Sequence, residues 1–404
     1  MSGVVIIGGG QAGFSAAAKL RSLGYEGAIS LICGEAVPPY QRPPLSKAYL
    51  LGEMEKERLF FRPENFYAEQ GIELILGNRA TSIDREAKSV TLSDERSLSY
   101  DTLILSTGAI PRRLPAAIGG DLYGVYTMRN LNDADGMAHE FRDGAKALII
   151  GGGYIGLEAA AVAAKRGAAV TLVEAAERIL QRVASEETSD YFRKLHSDRG
   201  VRIIEGDGLK TLIGDGGRVT AAELADGTRI EVDFVVTGIG IAPDIALAEA
   251  AGLEIENGIR TDAHCRTSDR DIYAAGDCAS FPQAGGRIRL ESVGNAIDMG
   301  EAVAADIMGS ETPYVAKPWF WSDQYDCKLQ IAGLSTGYDK IITRQGDGDE
   351  VSFWYFHGDN LIAVDAMNDP RGYMVGKRLI ESGKSPDPAA IADPSTNLKL
   401  LLKG

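Results

Sequence analysis

A short apolar strand that runs straight into a glycine turn and an alanine-rich helix occurs twice in this chain. No other feature narrows the fold as much. The first copy reads GVVIIG from Gly3 to Gly8, GGQAG through Gly13, then FSAAAKLRSLG to Gly24. The second reads AKALIIG from Ala145 to Gly151, GGYIG through Gly156, then LEAAAVAAKRG to Gly167. Gly8 and Gly151 stand 143 positions apart. Both helical stretches stop on a glycine, as a left-handed helix end requires. A second apolar run follows each, AISLICGE ending at Glu35 and AAVTLVE ending at Glu174. Strand, glycine turn, helix and strand in that order build a right-handed parallel sheet.

A lone GxGxxG says little in a chain with 48 glycines. Here each copy follows a strand, opens a helix and is followed by an acid at the end of the next strand, the context that gives the motif meaning. Gly8 and Gly151 permit the tight turn. Gly10 and Gly153 let a pyrophosphate approach the backbone, and Gly13 and Gly156 let the helix pack close on the strand. The helix starts, with Ala12 in the first copy and Tyr154 and Ile155 in the second, offer unpaired N–H groups to phosphate. The expectation is two bound dinucleotides. Two further segments echo each other, YDTLILSTGAIPRRLP with Thr107 and Gly108, and DFVVTGIGIAPD with Gly240. A last strand, DIYAAGD, ends in Gly276 and Asp277, an acid placed to reach an oxygen of a long cofactor.

At 404 residues and 45% apolar content the chain is long enough for two to four domains with real cores. A net charge of −15 argues against a protein whose main work is gripping nucleic acid. Cys33, Cys265, Cys278 and Cys327 form no CxxC, and His139, His196, His264 and His357 are scattered singly, so neither a disulfide framework nor a metal site is expected. MSGVVIIGGG enters a strand at once, and no uncharged apolar run reaches about 18 residues. A soluble, cytoplasmic protein with no membrane partner is expected.

GGGQAG, STGAIP, GGGYIG, TGIGIAPD and AAGDCA, in this order, resemble the two-dinucleotide flavoprotein reductases of the glutathione-reductase superfamily. PPYQRPPLSKAYL, LFFRPENFY, MRNLNDA, LESVGNAIDMG and PWFWSDQYD resemble, more narrowly, the NADH-dependent ferredoxin reductases that serve bacterial cytochrome P450 systems and ring-hydroxylating dioxygenases. The resemblance weakens after about residue 340. It implies an α/β fold of two Rossmann-like domains and a C-terminal α/β domain. FAD would be held by residues 1–112 and 244–317, NADH by 113–243, with 318–404 as the third domain. Disulfide reductases of this superfamily need two cysteines beside the flavin, and its peroxidases and oxidases need one. Arg42-Pro43-Pro44-Leu45-Ser46-Lys47 stands in that place and has none. The implied activity takes a hydride from NADH onto FAD and returns single electrons to a [2Fe–2S] ferredoxin. The implied assembly is a monomer or homodimer.

Glu35 and Glu174 end the second strands of their units, where an acid bonds an adenosine ribose. The resemblance assigns Glu35 to FAD and Glu174 to NADH. A carboxylate there repels a 2′-phosphate, so NADH is expected over NADPH, with Arg178 one turn on as the reservation. The resemblance places Lys47 at the reactive edge of the flavin with Glu158 as its buried partner. It gives FAD contacts to Arg42, Ala80, Thr107, Gly108, Arg129, Gly276, Asp277, Glu291 and Val293, with Trp321 as a wall and Trp319 in a domain core. An acidic ferredoxin would need a local basic patch, for which Arg62, Arg287, Arg289 and Lys328 are candidates. Small acceptors such as quinones or monodehydroascorbate remain an alternative, as does an NADH-dependent redox sensor.

Overall fold

The computed structural model describes residues 3–283 and 285–403. The chain packs as two compact units, one made of residues up to 41, 55–110 and 241–318, the other of 42–54, 111–240 and everything from 319 on.

In the first unit Gly3–Ile7 is the middle of a sheet, paired in parallel with Ile29–Cys33 on one side and Ser97–Leu105 on the other. Ile72–Leu76 extends it in parallel beyond Ile29–Cys33, and Ile272–Ala274 pairs in parallel with Ser97–Leu105. The opposite edge, Ser89–Leu92 and then Ala80–Asp84, is antiparallel. Ile6, Leu31 and Ile104 lie side by side in register with no solvent exposure to speak of, as a strand covered on both faces demands. The helix Gln11–Ser22 packs along Val293–Ile307. A Cβ on Gly300 would stand 2.4 Å from the Ala12 carbonyl oxygen, so that contact is backbone against backbone.

The second unit carries an all-parallel sheet in the order Arg202–Glu205, Ala169–Glu174, Lys146–Ile150, Phe234–Thr237, Val125–Thr127. Its C-terminal part is a five-stranded antiparallel sheet whose edge strand is Trp319–Gln324, with the helix Pro370–Glu381 packed on it. Residues 42–54, expected with the first FAD segment, pack here instead. Polar ties explain it: Arg42 donates to the Arg129 carbonyl at 3.0 Å, Tyr49 to Asp135 at 2.6 Å, and Ser46 and Lys47 both reach Glu158. Among the described residues no helix is long and apolar enough to cross a membrane.

Candidate functional site

Each unit has one glycine turn, and the two are built alike. Gly8 has φ +115°, and a Cβ there would lie 2.1 Å from the Ser106 carbonyl oxygen; Gly151 has φ +103°, with the Gly238 oxygen 2.5 Å away. A Cβ on Gly13 would meet the Gly8 oxygen at 2.0 Å, and one on Gly156 the Gly151 oxygen at 2.0 Å. These positions admit only glycine. The middle glycines differ in kind. A Cβ on Gly10 or Gly153 has nothing within 4 Å, so both face open space, and each is the N-cap of its helix with no side chain capping the first turn. N–H groups with no capping side chain beside open space fit a pyrophosphate, and neither first turn holds an acid that would repel it.

The acids after the second strands are held differently. Glu35 accepts from the Tyr40 hydroxyl at 2.7 Å. Glu174 accepts from two backbone N–H groups, Gly152 at 2.6 Å and Ala176 at 2.8 Å, which ties the strand end to the turn itself. Arg178 is engaged: it donates to the carbonyls of Ser185 (3.0 Å) and Ala184 (2.9 Å) and to the Ser189 hydroxyl.

Lys47 and Glu158 meet at 2.8 Å, with Glu158 almost fully buried and the Lys47 side chain 16% exposed. Glu158 lies on the helix Tyr154–Lys165, otherwise apolar apart from its ends, and a lone carboxylate there would be strongly disfavoured. Three donors offset that cost: Lys47 and the Ser46 hydroxyl (2.6 Å) on Oε2, and the Ser322 hydroxyl (2.6 Å) on Oε1. Ser322 in turn accepts from the Gln324 amide at 3.1 Å, and Gln324 Oε1 lies 2.7 Å from His196 Nε2. The family resemblance supplied the pair, and sequence reasoning missed Ser46, Ser322, Gln324 and His196. The available signal was a glutamate inside an alanine-rich helix, which calls for several donors. His196 follows Phe192 by one helical turn and shares its buried face.

The other expected site residues fall as follows. Thr107 donates to the Asp244 carbonyl at 2.6 Å, and Gly108 has φ +75°. Gly276, at φ +80°, lies against Ala12, and Asp277 beside it is half-buried. Ala80 begins the antiparallel edge strand, Val293 opens the helix capped by Ser292, and Gly240 is an exposed turn whose carbonyl accepts from Arg112. Ile155 is exposed beside its turn.

Tyr154 was expected to offer its backbone N–H, and two other expectations need correction. The Tyr154 side chain turns inward: its ring packs on Phe320 at 4.9 Å and its hydroxyl is buried with no hydrogen-bond partner among the described residues, which leaves its backbone N–H for a dinucleotide. Trp319 is not core but half-buried, stacked on Trp321 with ring centres 5.4 Å apart, because the two share one face of an edge strand. Arg287 and Arg289 are weak docking candidates. Arg287 bonds the Thr261 and Ser280 carbonyls, and Arg289 pairs with Glu291 at 2.5 Å with only 12% of its side chain exposed. Arg62 and Lys328 are exposed.

No thiol is placed for relay work. All four cysteines are buried, and burial pushes Cys33 up to about 12, Cys327 up to about 11, and Cys265 and Cys278 upward as well. Among the described residues no group of three or more potential ligands could hold a metal ion.

Two glycine-turn cradles in one chain, one beside a buried lysine–glutamate pair, define an oxidoreductase that handles two dinucleotides. Residues 2–300 match the model of the pyridine nucleotide-disulphide oxidoreductases, and residues 319–402 match that of the reductase C-terminal domain. The chain belongs to the pyridine nucleotide-disulphide oxidoreductase family. It is 42% identical to rhodocoxin reductase of Rhodococcus erythropolis, over 99% of this chain and 94% of that one. It is also 42% identical to putidaredoxin reductase of Pseudomonas putida, over 99% and 96%. The crystal structure of a covalent putidaredoxin reductase–putidaredoxin complex matches with a TM-score of 0.96 at 40% identity, covering 100% of this chain and 98% of the matched one.

Proposed function

We propose that this protein is an FAD-dependent reductase that passes electrons from NADH to a [2Fe–2S] ferredoxin feeding a cytochrome P450 or ring-hydroxylating oxygenase. The observation that carries the reading is a pair of dinucleotide cradles in a chain without a usable thiol, so electrons leave for an outside acceptor with no cysteine relay. When bound, FAD accepts a hydride and yields electrons one at a time. The chain's own part is positioning and electrostatics. The helix starts at Gly10 and Gly153 bind the pyrophosphates, and Glu35 and Glu174 hold the riboses. Lys47, kept in place by Glu158, would offer a bound flavin a positive charge to stabilise the reduced form. Arg42, Arg129 and Trp321 would add contacts to the FAD. The cytoplasm, where NADH is available, is the compartment this assigns.

The test is cytochrome c reduction by NADH with and without an added [2Fe–2S] ferredoxin. A steep dependence on ferredoxin is expected. Equal rates in its absence, with fast turnover of a quinone, would replace ferredoxin with a small-molecule acceptor.

A further inference from the structure

Glu158 is the end of a file of hydrogen bonds that all run one way. Gln324 uses its amide N–H on the Ser322 oxygen at 3.1 Å, so its carbonyl oxygen faces His196 Nε2 at 2.7 Å. That fixes a proton on Nε2 and leaves Nδ1 as an acceptor for the Tyr325 hydroxyl, 3.3 Å away. Ser322, already accepting from Gln324, gives its single proton to Glu158 Oε1. From the other side Ser46 and Lys47 donate to Oε2. Every donor from Tyr325 to Ser322 therefore points toward the carboxylate, and His196, Ser322 and Gln324 are fully buried. A protonated Glu158 would need an acceptor, and the file offers none without reversing. Burial also holds His196 down at about 4, in keeping with a neutral ring. At the outer end the Tyr325 ring lies under Arg199, which also bonds Asp326, so the hairpin tip that starts the file is pinned.

We propose that His196, Gln324 and Ser322 are positioning residues for the Lys47–Glu158 pair, orienting the Glu158 carboxylate so that Lys47 stays in place. This rests on the reading of that pair as the flavin's partner. Among the described residues no side-chain hydrogen bond joins His196, Gln324 or Ser322 to either glycine turn; their bonds lead to the pair through Glu158.

The test uses the holoenzyme. In 15N-histidine NMR at pH 7, the resonance that disappears in His196→Gln is expected to report a neutral ring protonated on Nε2. A ring protonated on Nδ1, or an imidazolium, would overturn the file. In rapid-reaction measurements Ser322→Ala is expected to slow NADH reduction of the bound flavin about tenfold, with flavin content and NADH affinity unchanged. Ser322→Thr, which keeps the hydroxyl, is expected to restore the rate to within about twofold. An unchanged rate in Ser322→Ala beside a slowed Lys47→Ala would overturn the positioning role. An unchanged Lys47→Ala would instead overturn the reading of the pair, and the histidine tautomer would still decide whether the file exists as described.

Discussion

Ser15 and Glu158 occupy the same place in the two repeats, the second residue after the third glycine of the turn. Around them the backbone is nearly a copy: the same positive φ at Gly8 and Gly151 and the same 2.0 Å approach behind Gly13 and Gly156. Yet among the described residues the Ser15 hydroxyl has only a 3.3 Å contact from Gln11, while Glu158 gathers three donors, one of them the ion-paired Lys47, from two distant segments. The glycine turn binds through backbone N–H groups, so the side chain two residues further on is free to do something else. In the first unit that position is neutral and packs. In the second it has become an electrostatic anchor.

The glycines give the largest effects by which this comparison can be broken. Gly13→Ala is expected to leave the purified protein nearly colourless, since its Cβ would strike the Gly8 carbonyl and open the turn. Gly156→Ala, with the same clash, is expected to keep the flavin and weaken NADH binding on the order of a hundredfold. Flavin absorbance per protein and the NADH dependence of flavin reduction separate the two. If both variants lost flavin equally, the turns would not be serving different dinucleotides. The anchor comes next. Lys47→Ala is expected to slow flavin reduction about a hundredfold, the scale of losing one donor aimed at developing charge. Ser15→Ala is expected to change it less than about twofold, and a large effect there would erase the contrast.

The second unit also carries buried groups whose titrations oppose each other. His196, brought down to about 4 by burial, stays neutral while the unfolded chain takes up a proton near 6.5, so its share of stability is complete above that pH and is lost toward 4. Asp365 is pushed up to about 6 by burial, with the Tyr355 and Thr188 hydroxyls pulling the other way. It takes its proton in the folded state first, so acidification from about 6 to 3.8 adds stability. Asp365→Asn removes that gain. Between pH 6.5 and 4 the variant is expected to lose ~2–3 kcal/mol more than the wild type in urea unfolding. Parallel losses in the two proteins would mean that Asp365 is ionised throughout.

The turns and the strands around them were legible in the sequence because each is local or carried by a spaced motif, whereas the Lys47–Glu158 pair, its members 111 positions apart, came from the family resemblance alone. The file behind Glu158 was not legible. Its bonds join residues 164 and 128 positions apart, and periodicity identifies which face of a strand or helix is buried without naming what it meets. His196 looked isolated for that reason. Tyr154 shows what a motif leaves unsaid: a residue in it can lend its backbone to binding while its ring serves the core.

The smallest effect sharpens the comparison of the two acids. Glu35 is steadied by a side chain, Tyr40, whereas Glu174 is steadied by the turn's own Gly152 N–H, so its carboxylate is locked beside the glycine turn. The cation that could have welcomed a 2′-phosphate, Arg178, is turned onto two carbonyls and Ser189. NADH is therefore expected over NADPH, judged by kcat/KM for the two. Glu174→Ala is expected to cut kcat/KM for NADH about tenfold while sparing NADPH, the equivalent of ~1.4 kcal/mol for one lost ribose bond and one removed repulsion. Ser189→Ala is expected to leave the preference within about twofold, since both carbonyls still hold the guanidinium. A strong gain of NADPH activity in Ser189→Ala would mean that the arginine's restraint, and not the acid, sets the choice.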